Sequence, residues 1–168
     1  PTTTGAAWWT RSARRRRERE ERASEACEPR SREQRQGAVT PMRIVYIYQY
    51  YCNPQMAGGL RAYEHARRLV AHGHTVHVIT ADIAPAKRSL GWRRTVDDGV
   101  NVHWFSVPYS NNMSYARRIR AFAEFMVLAA AKATRLNADL VFATSTPLTV
   151  AVPGVIAARL RRVPFVFE

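Results

Sequence analysis

Acidic residues are scarce in this chain. Thirteen Asp and Glu stand against 26 Lys and Arg, a formal net charge of +13. A surplus of that size points to an anionic partner: nucleic acid, phosphates or an anionic membrane surface. Cysteine is nearly absent. Cys27 and Cys52 have no metal-ligand spacing and fit reduced thiols rather than a disulfide, as in a cytoplasmic protein. No apolar run follows the Arg-rich start, which speaks against a secretory or twin-arginine signal. The longest uncharged stretch is residues 140–158. That stretch could span a bilayer by length, but Pro147, Pro153, Gly154 and the Thr144-Ser145-Thr146-Pro147 turn signal divide it into a strand and a helix. Neither GxGxxG nor GxxxxGK[ST] occurs, which disfavours NAD and P-loop chemistry. There is no Asp-x-Asp pair and no His cluster, so no divalent metal is expected.

What is present falls into two unlike parts. Within residues 1–41, the stretch 11–37 carries ten Arg and six Glu with almost nothing large and apolar. Such a segment cannot bury enough surface to offset its ordering entropy, and we read it as a disordered tail with a transient helix near Arg14–Ala26. From Met42 onward there are 16 basic and 7 acidic residues, a surplus of nine, so the folding part has its own positive charge to explain.

Residues 42–168 alternate between the two apolar periods. Ile44–Tyr48 is a continuous β-branched and aromatic run, the pattern of a strand covered on both faces. Residues 60–72 place Leu60, Tyr63, Ala66, Leu69 and Val70 on one helical stripe, with Glu64 and Arg68 spaced as an i,i+4 pair and Gly73 as the C-terminal glycine. Thr75–Thr80 is a second strand. Residues 81–98 look like a polar loop, Val100–Val107 like a third strand, and Ser114–Leu136 like a long helix capped by Ser114. Ala138–Ala143, Pro147–Arg162 and Val163–Phe167 complete the series as strand, helix and strand. Alternation of this kind predicts a Rossmann-like, doubly wound parallel α/β sheet.

The pair Gly58-Gly59 stands where the first helix should begin, in the loop beyond the carboxyl end of the first strand. Ligands of open α/β sheets bind at such ends. The unpaired N–H groups and dipole of a helix start favour an anion, and glycine lets an oxygen come close to the backbone. A Gly pair before a helix also serves as a plain turn.

Taken together, the first strand, Gly58-Gly59, Leu69 with Gly73-His74, Val76–Thr80, Asp97-Asp98-Gly99-Val100, Ala138-Asp139-Leu140-Val141 and Val163-Pro164-Phe165-Val166 resemble the N-terminal domain of retaining family-4 glycosyltransferases of the GT-B fold, in particular bacterial enzymes of polysaccharide biosynthesis. The resemblance implies a two-domain enzyme whose C-terminal domain, beyond Glu168, holds most of the nucleotide-sugar. Residues 42–168 would then be the mainly acceptor-side domain and inactive alone. It implies a nucleotide-sugar donor as substrate, no cofactor, and a lipid-linked or saccharide acceptor. It also implies a cytoplasmic location, peripheral on the inner face of the plasma membrane. Gly58 and Gly59 are the candidates for contact with the donor phosphate or sugar. Arg61, Ser145 and Thr146 are the acceptor-side candidates, the last two also suited to capping a helix. Arg117, Arg118 and Arg120 are candidates to face an anionic membrane. No catalytic residue is assigned; His65, His72, His74, His77 and His103 are scattered and have no carboxylate at useful spacing. The competing reading is a non-catalytic anion-, membrane- or RNA-binding module with a basic arm, although nucleic acid is the less suited partner.

Overall fold

The computed structural model describes residues 40–83, 91–110, 112–145 and 147–168. The expected tail up to residue 39, its helix and Thr146 lie outside the described residues. Strand β1 (Arg43–Ile47) is buried at every position but its first, because neighbours cover both edges and layers cover both faces. It pairs in parallel with β2 (Thr75–Asp82), Ile44 opposite Val76, and with β5 (Leu140–Ala143), Ile44 opposite Leu140. Strand β4 (Val100–Ser106) extends the sheet beyond β2, and β6 (Phe165–Phe167) extends it beyond β5, both in parallel.

The polar loop expected over residues 81–98 gives way to strand at both sides of its described part: Ala81 and Asp82 end β2. Trp92–Asp97 form strand β3, which runs antiparallel to β4 and closes the sheet in the order β3-β4-β2-β1-β5-β6. Asp97 and Val100 face each other, and the two residues between them, Asp98 and Gly99, both have positive φ, 46° and 82°. This is the geometry of a two-residue primed turn, for which Asp-Gly is a favoured sequence. The strand is fastened by Trp104, whose indole N–H donates to Thr95 Oγ1 at 2.8 Å and whose ring lies under the Arg93 guanidinium. One antiparallel edge strand on a parallel sheet leaves the expected fold class intact.

Helix α1 (Arg61–Ala71) covers one face of the sheet. Ala62, Tyr63 and Ala66 join Ile44, Tyr46, Val76, Val78, Val102 and Trp104 there, with Leu69 and Val70 half-buried at the margin. Gly73 (φ 87°) ends the helix: its N–H bonds to Val70 and that of His74 to Leu69, the paired closure of a Schellman motif. On α1, Glu64 meets both Arg67 and Arg68.

Helices α2 (Tyr115–Ala133) and α3 (Ala151–Arg161) cover the other face. They pack on Val45, Ile47, Ile79, Phe105 and Val141. The buried stripe of α2 is Ala121, Phe125, Ala129 and Ala133. Helical spacing in the sequence puts Ile119, Phe122, Phe125, Met126 and Ala129 on the packed stripe; the observed one is rotated from it, and Ile119 is exposed. Ser114 occupies the N-cap position without a side-chain hydrogen bond. The helix expected from Pro147 opens as a 3-10 turn, Leu148–Val150, and continues as α3. No helix among the described residues is long and apolar enough to cross a membrane. The right-handed crossovers put α1 on one face and α2 and α3 on the other. The order of the sheet therefore reverses between β1 and β5, and their carboxyl ends form the topological switch point.

Candidate functional site

The switch point brings together residues that are far apart in sequence. Beyond β1 the chain stays on the sheet for two more residues: Tyr48 N–H donates to Ile79 O, and Gln49 O accepts from Ala81 N–H and from the Thr80 hydroxyl. The loop then drapes toward the β3–β4 hairpin. There the Tyr51 hydroxyl and the Asn53 amide both donate to Asp97 Oδ2, at 3.4 and 3.2 Å. It returns to the start of α1 through Gly58 and Gly59.

The two glycines differ in their surroundings. At Gly58, φ is 155°, and a Cβ would lie 2.3 Å from Cys52 Sγ. Burial pushes the Cys52 thiol pKa up, and the thiol donates weakly to the carbonyls of Tyr50 and Ala57, so it acts as a small staple under the loop. Gly58 is therefore demanded by packing. At Gly59 an added Cβ would meet nothing within 4 Å. Here no contact within the fold calls for glycine. Helix α1 follows with no side chain capping its first turn.

Arg61, the first residue of α1, reaches across to the Glu168 carboxylate. Glu168 is held by the main chain: its N–H donates to Ala143 O at 3.0 Å, and its carbonyl accepts from Ser145 N–H at 2.7 Å. Its other carboxylate oxygen accepts the Thr144 hydroxyl at 3.3 Å, and Thr144 Oγ1 lies 2.9 Å from the buried Tyr46 hydroxyl. Burial raises the Tyr46 pKa, against the opposing effect of the Thr144 bond. The result is a continuous polar line, Arg61–Glu168–Thr144–Tyr46, across the carboxyl ends of β5, β6 and β1.

Around this line stand half-buried aromatic rings. Tyr48 and Tyr50 are edge to face at 6.5 Å, Tyr50 and Tyr109 lie 5.8 Å apart, and Tyr109 rests on Phe122 at 5.4 Å. Gln49 is fully buried and neither atom of its amide has a hydrogen-bond partner.

Among the residues singled out from sequence, Gly58, Gly59 and Arg61 gather at the carboxyl rim. Ser145 is there too, but it contributes its main chain; the hydroxyl in the polar line belongs to Thr144. The cap expected of Ser145 is not made, for neither the 3-10 turn nor α3 has a side-chain cap. Arg117, Arg118 and Arg120 lie on the first half of α2, the first and last exposed. Tyr46, Thr144 and Glu168 were missed because each reads as ordinary strand or strand-end sequence. The signal for Tyr48 and Tyr50 was visible, since the strand's aromatic run continues into the loop. His77 and His103 are not isolated as their spacing suggested: on adjacent strands, Nδ1 and Nε2 approach to 3.2 Å.

A glycosyl transferase 4-like domain model matches residues 58–168, which include the glycine pair, Arg61, Thr144 and Glu168. That is more than half of the sequence. The chain belongs to the glycosyl transferase 4-like domain family. No curated protein gives a significant match. Among solved structures, the catalytic domain of starch synthase IV from Arabidopsis thaliana, bound to ADP and acarbose, is similar with a TM-score of 0.52 and 15% identity, over 76% of this chain and 34% of that one. The C-terminal domain of a hydrogenase from Pyrococcus furiosus is similar with a TM-score of 0.51 and 18% identity, over 79% of this chain and 98% of that one. At such identities the likeness is one of fold. This glycosyl transferase 4-like domain spans about a third of the starch synthase chain it resembles.

Proposed function

We propose that this domain is the acceptor-side half of a retaining glycosyltransferase. It takes a sugar from a nucleotide-sugar to a lipid-linked or saccharide acceptor of cell-surface polysaccharide synthesis, at the inner face of the plasma membrane. A C-terminal domain beyond Glu168 supplies the remaining donor contacts. The observation that carries the reading is Gly59, open on its Cβ side at the switch point, beside an uncapped helix start and Arg61. In the transfer, the bond from the anomeric carbon to the diphosphate oxygen breaks with its electron pair going to the diphosphate. The acceptor hydroxyl oxygen forms the new bond on the same face, and its proton passes to the leaving phosphate. Charge grows on the diphosphate, so fixed N–H groups and a cation near it lower the barrier. Helix α1 offers both, without a metal or cofactor. The Tyr48, Tyr50 and Tyr109 rings give flat surfaces for the acceptor.

The test is Gly59→Val in the protein extended by its C-terminal domain, assayed for transfer of radiolabelled sugar from nucleotide-sugars to lipid extracts. Stability should stay within about 0.5 kcal/mol of the parent, as for an open surface site, while transfer falls by about tenfold or more, because a side chain there displaces the phosphate from its amides. Transfer at the parental rate would overturn the assignment of this loop.

A further inference from the structure

We propose that the outer surface of α2 and α3 is a docking face for an anionic lipid surface. This names the surface for the membrane placement proposed above and rests on that part of the reading, not on the transfer chemistry. The two helices lie side by side on one face of the sheet. On α2, Tyr115, Ile119, Ala123 and Val127 follow one another at every fourth residue. They sit two positions, and so about half a turn, away from the buried Ala121, Phe125 and Ala129. On α3 and its 3-10 lead-in, Leu148, Val152, Ile156 and Leu160 do the same against Gly154 and Ala158. The seven large apolar residues of these two rows are between 41% and 79% exposed. Single exposed apolar residues are ordinary on any surface. Two rows of them, on neighbouring helices and both directed away from the sheet, make a ridged apolar plane.

The charges around the ridges choose the occupant. Arg117, Arg118 and Arg120 flank the first ridge near its start, and Arg159 and Arg162 flank the second near its end. Helix α3 has no acidic residue and α2 has one, Glu124. Apolar side chains that enter the acyl boundary while arginines remain at the phosphates are what an anionic bilayer surface satisfies in one plane. The ridges begin at the carboxyl end of the sheet, where α2 and the 3-10 turn start, and the Tyr50–Tyr109–Phe122 contacts join that end of α2 to the switch point. A membrane under this face would hold lipid-borne molecules beside the site.

The experiment is co-sedimentation of the full chain with vesicles of phosphatidylcholine mixed with phosphatidylglycerol. The parent is compared with a fourfold variant, Ile119→Ser, Val127→Ser, Leu148→Ser and Leu160→Ser. The basic segment before residue 42 is present in both, so its attraction cancels. Partition of the variant should be weaker by about tenfold, with the same far-UV circular dichroism, and the parent's binding should retain a salt-resistant part. A second variant, Arg117→Gln, Arg120→Gln and Arg159→Gln, leaves the apolar rows untouched and should also lose partition, several-fold, at low salt. Equal partition by the parent and both variants overturns the proposal. So does a parent that binds no vesicles but forms a dimer in sedimentation velocity that the Ser substitutions dissociate, which would assign the ridges to a second copy.

Discussion

Arg43 and Asp139, at the amino end of the sheet, and Arg61 and Glu168, at its carboxyl end, are both arginine–carboxylate pairs, yet they are built for different ends. Asp139 accepts the Arg43 N–H at 2.8 Å and its guanidinium at 3.1 and 2.7 Å, and returns its own N–H to Arg43 O at 2.8 Å. Main chain and side chains are both committed, and the pair does no more than tie β1 to the start of β5. Glu168 likewise fixes its main chain to β5, but its carboxylate bridges a helix start on one side and a hydroxyl line on the other. The difference lies in what surrounds each pair. At the amino end, strands begin, and the turn after α1 meets them through His74 Nδ1, which accepts the Met42 N–H at 3.2 Å. At the carboxyl end, the switch point lies between β1 and β5, and the glycine loop and the uncapped start of α1 stand beside it. One type of interaction thus ties two strands together at one end and links a helix start to a line of hydroxyls at the other.

That comparison can be broken most directly at the loop. Gly58→Val should destabilise the domain by about 3 kcal/mol in chemical denaturation, since the side chain meets Cys52 and the backbone there disfavours a β-branched residue. Gly59→Val, one position later, should leave stability unchanged. Equal losses would mean that the loop is packed throughout and has no open side.

A smaller effect separates the two arginine pairs by pH. The Arg43 hydrogen bonds hold the Asp139 pKa down at about 2. Its contribution is therefore complete above the ordinary Asp value of about 3.9 and is lost as pH falls through 2. In Asp139→Asn the decline of stability across that window should flatten while sugar transfer by the extended protein is retained. Glu168→Gln should do the reverse, lowering transfer by about tenfold with little change in stability. If Asp139→Asn lost transfer as well, the division between the two ends would fail.

A further pH effect belongs to the histidine pair on the sheet. Burial, then Lys132, His77 and Arg94, lower the His103 pKa to about 4. The neutral form is thus the folded one. Its stabilisation is present above the ordinary His value of about 6.5 and is lost as pH falls from there toward 4. Denaturation midpoints at pH 8, 6 and 4.5 should fall less steeply in His103→Asn than in the parent.

Much of the fold was legible. The β-branched runs, the stripe of α1 and Gly73 specified a strand, a helix and its end, because each rests on contacts that the local period decides. The hairpin of β3 was lost because a strand at the edge of a sheet, half-exposed and rich in Arg, carries little apolar alternation; its one clear signal was Asp98-Gly99. The stripe of α2 was displaced because many of its residues are apolar and composition cannot say which of them turn inward. For the site, Gly58-Gly59 and Arg61 could be named from their place before a helix. Glu168 and Thr144 could not be, because their chemistry comes from strands that pair only after the chain has crossed the sheet.

By itself the sequence determined that residues 42–168 alternate between strand and helix, where α1 starts and stops, and that the folded part is basic. Those follow from local periodicity and from counting charges. Only the tertiary structure decided that Gly58 is filled against Cys52 while Gly59 stays open, that Arg61 meets Glu168, and that two apolar rows face away from the sheet. Each of these depends on which distant elements come to lie side by side, and no local pattern encodes that.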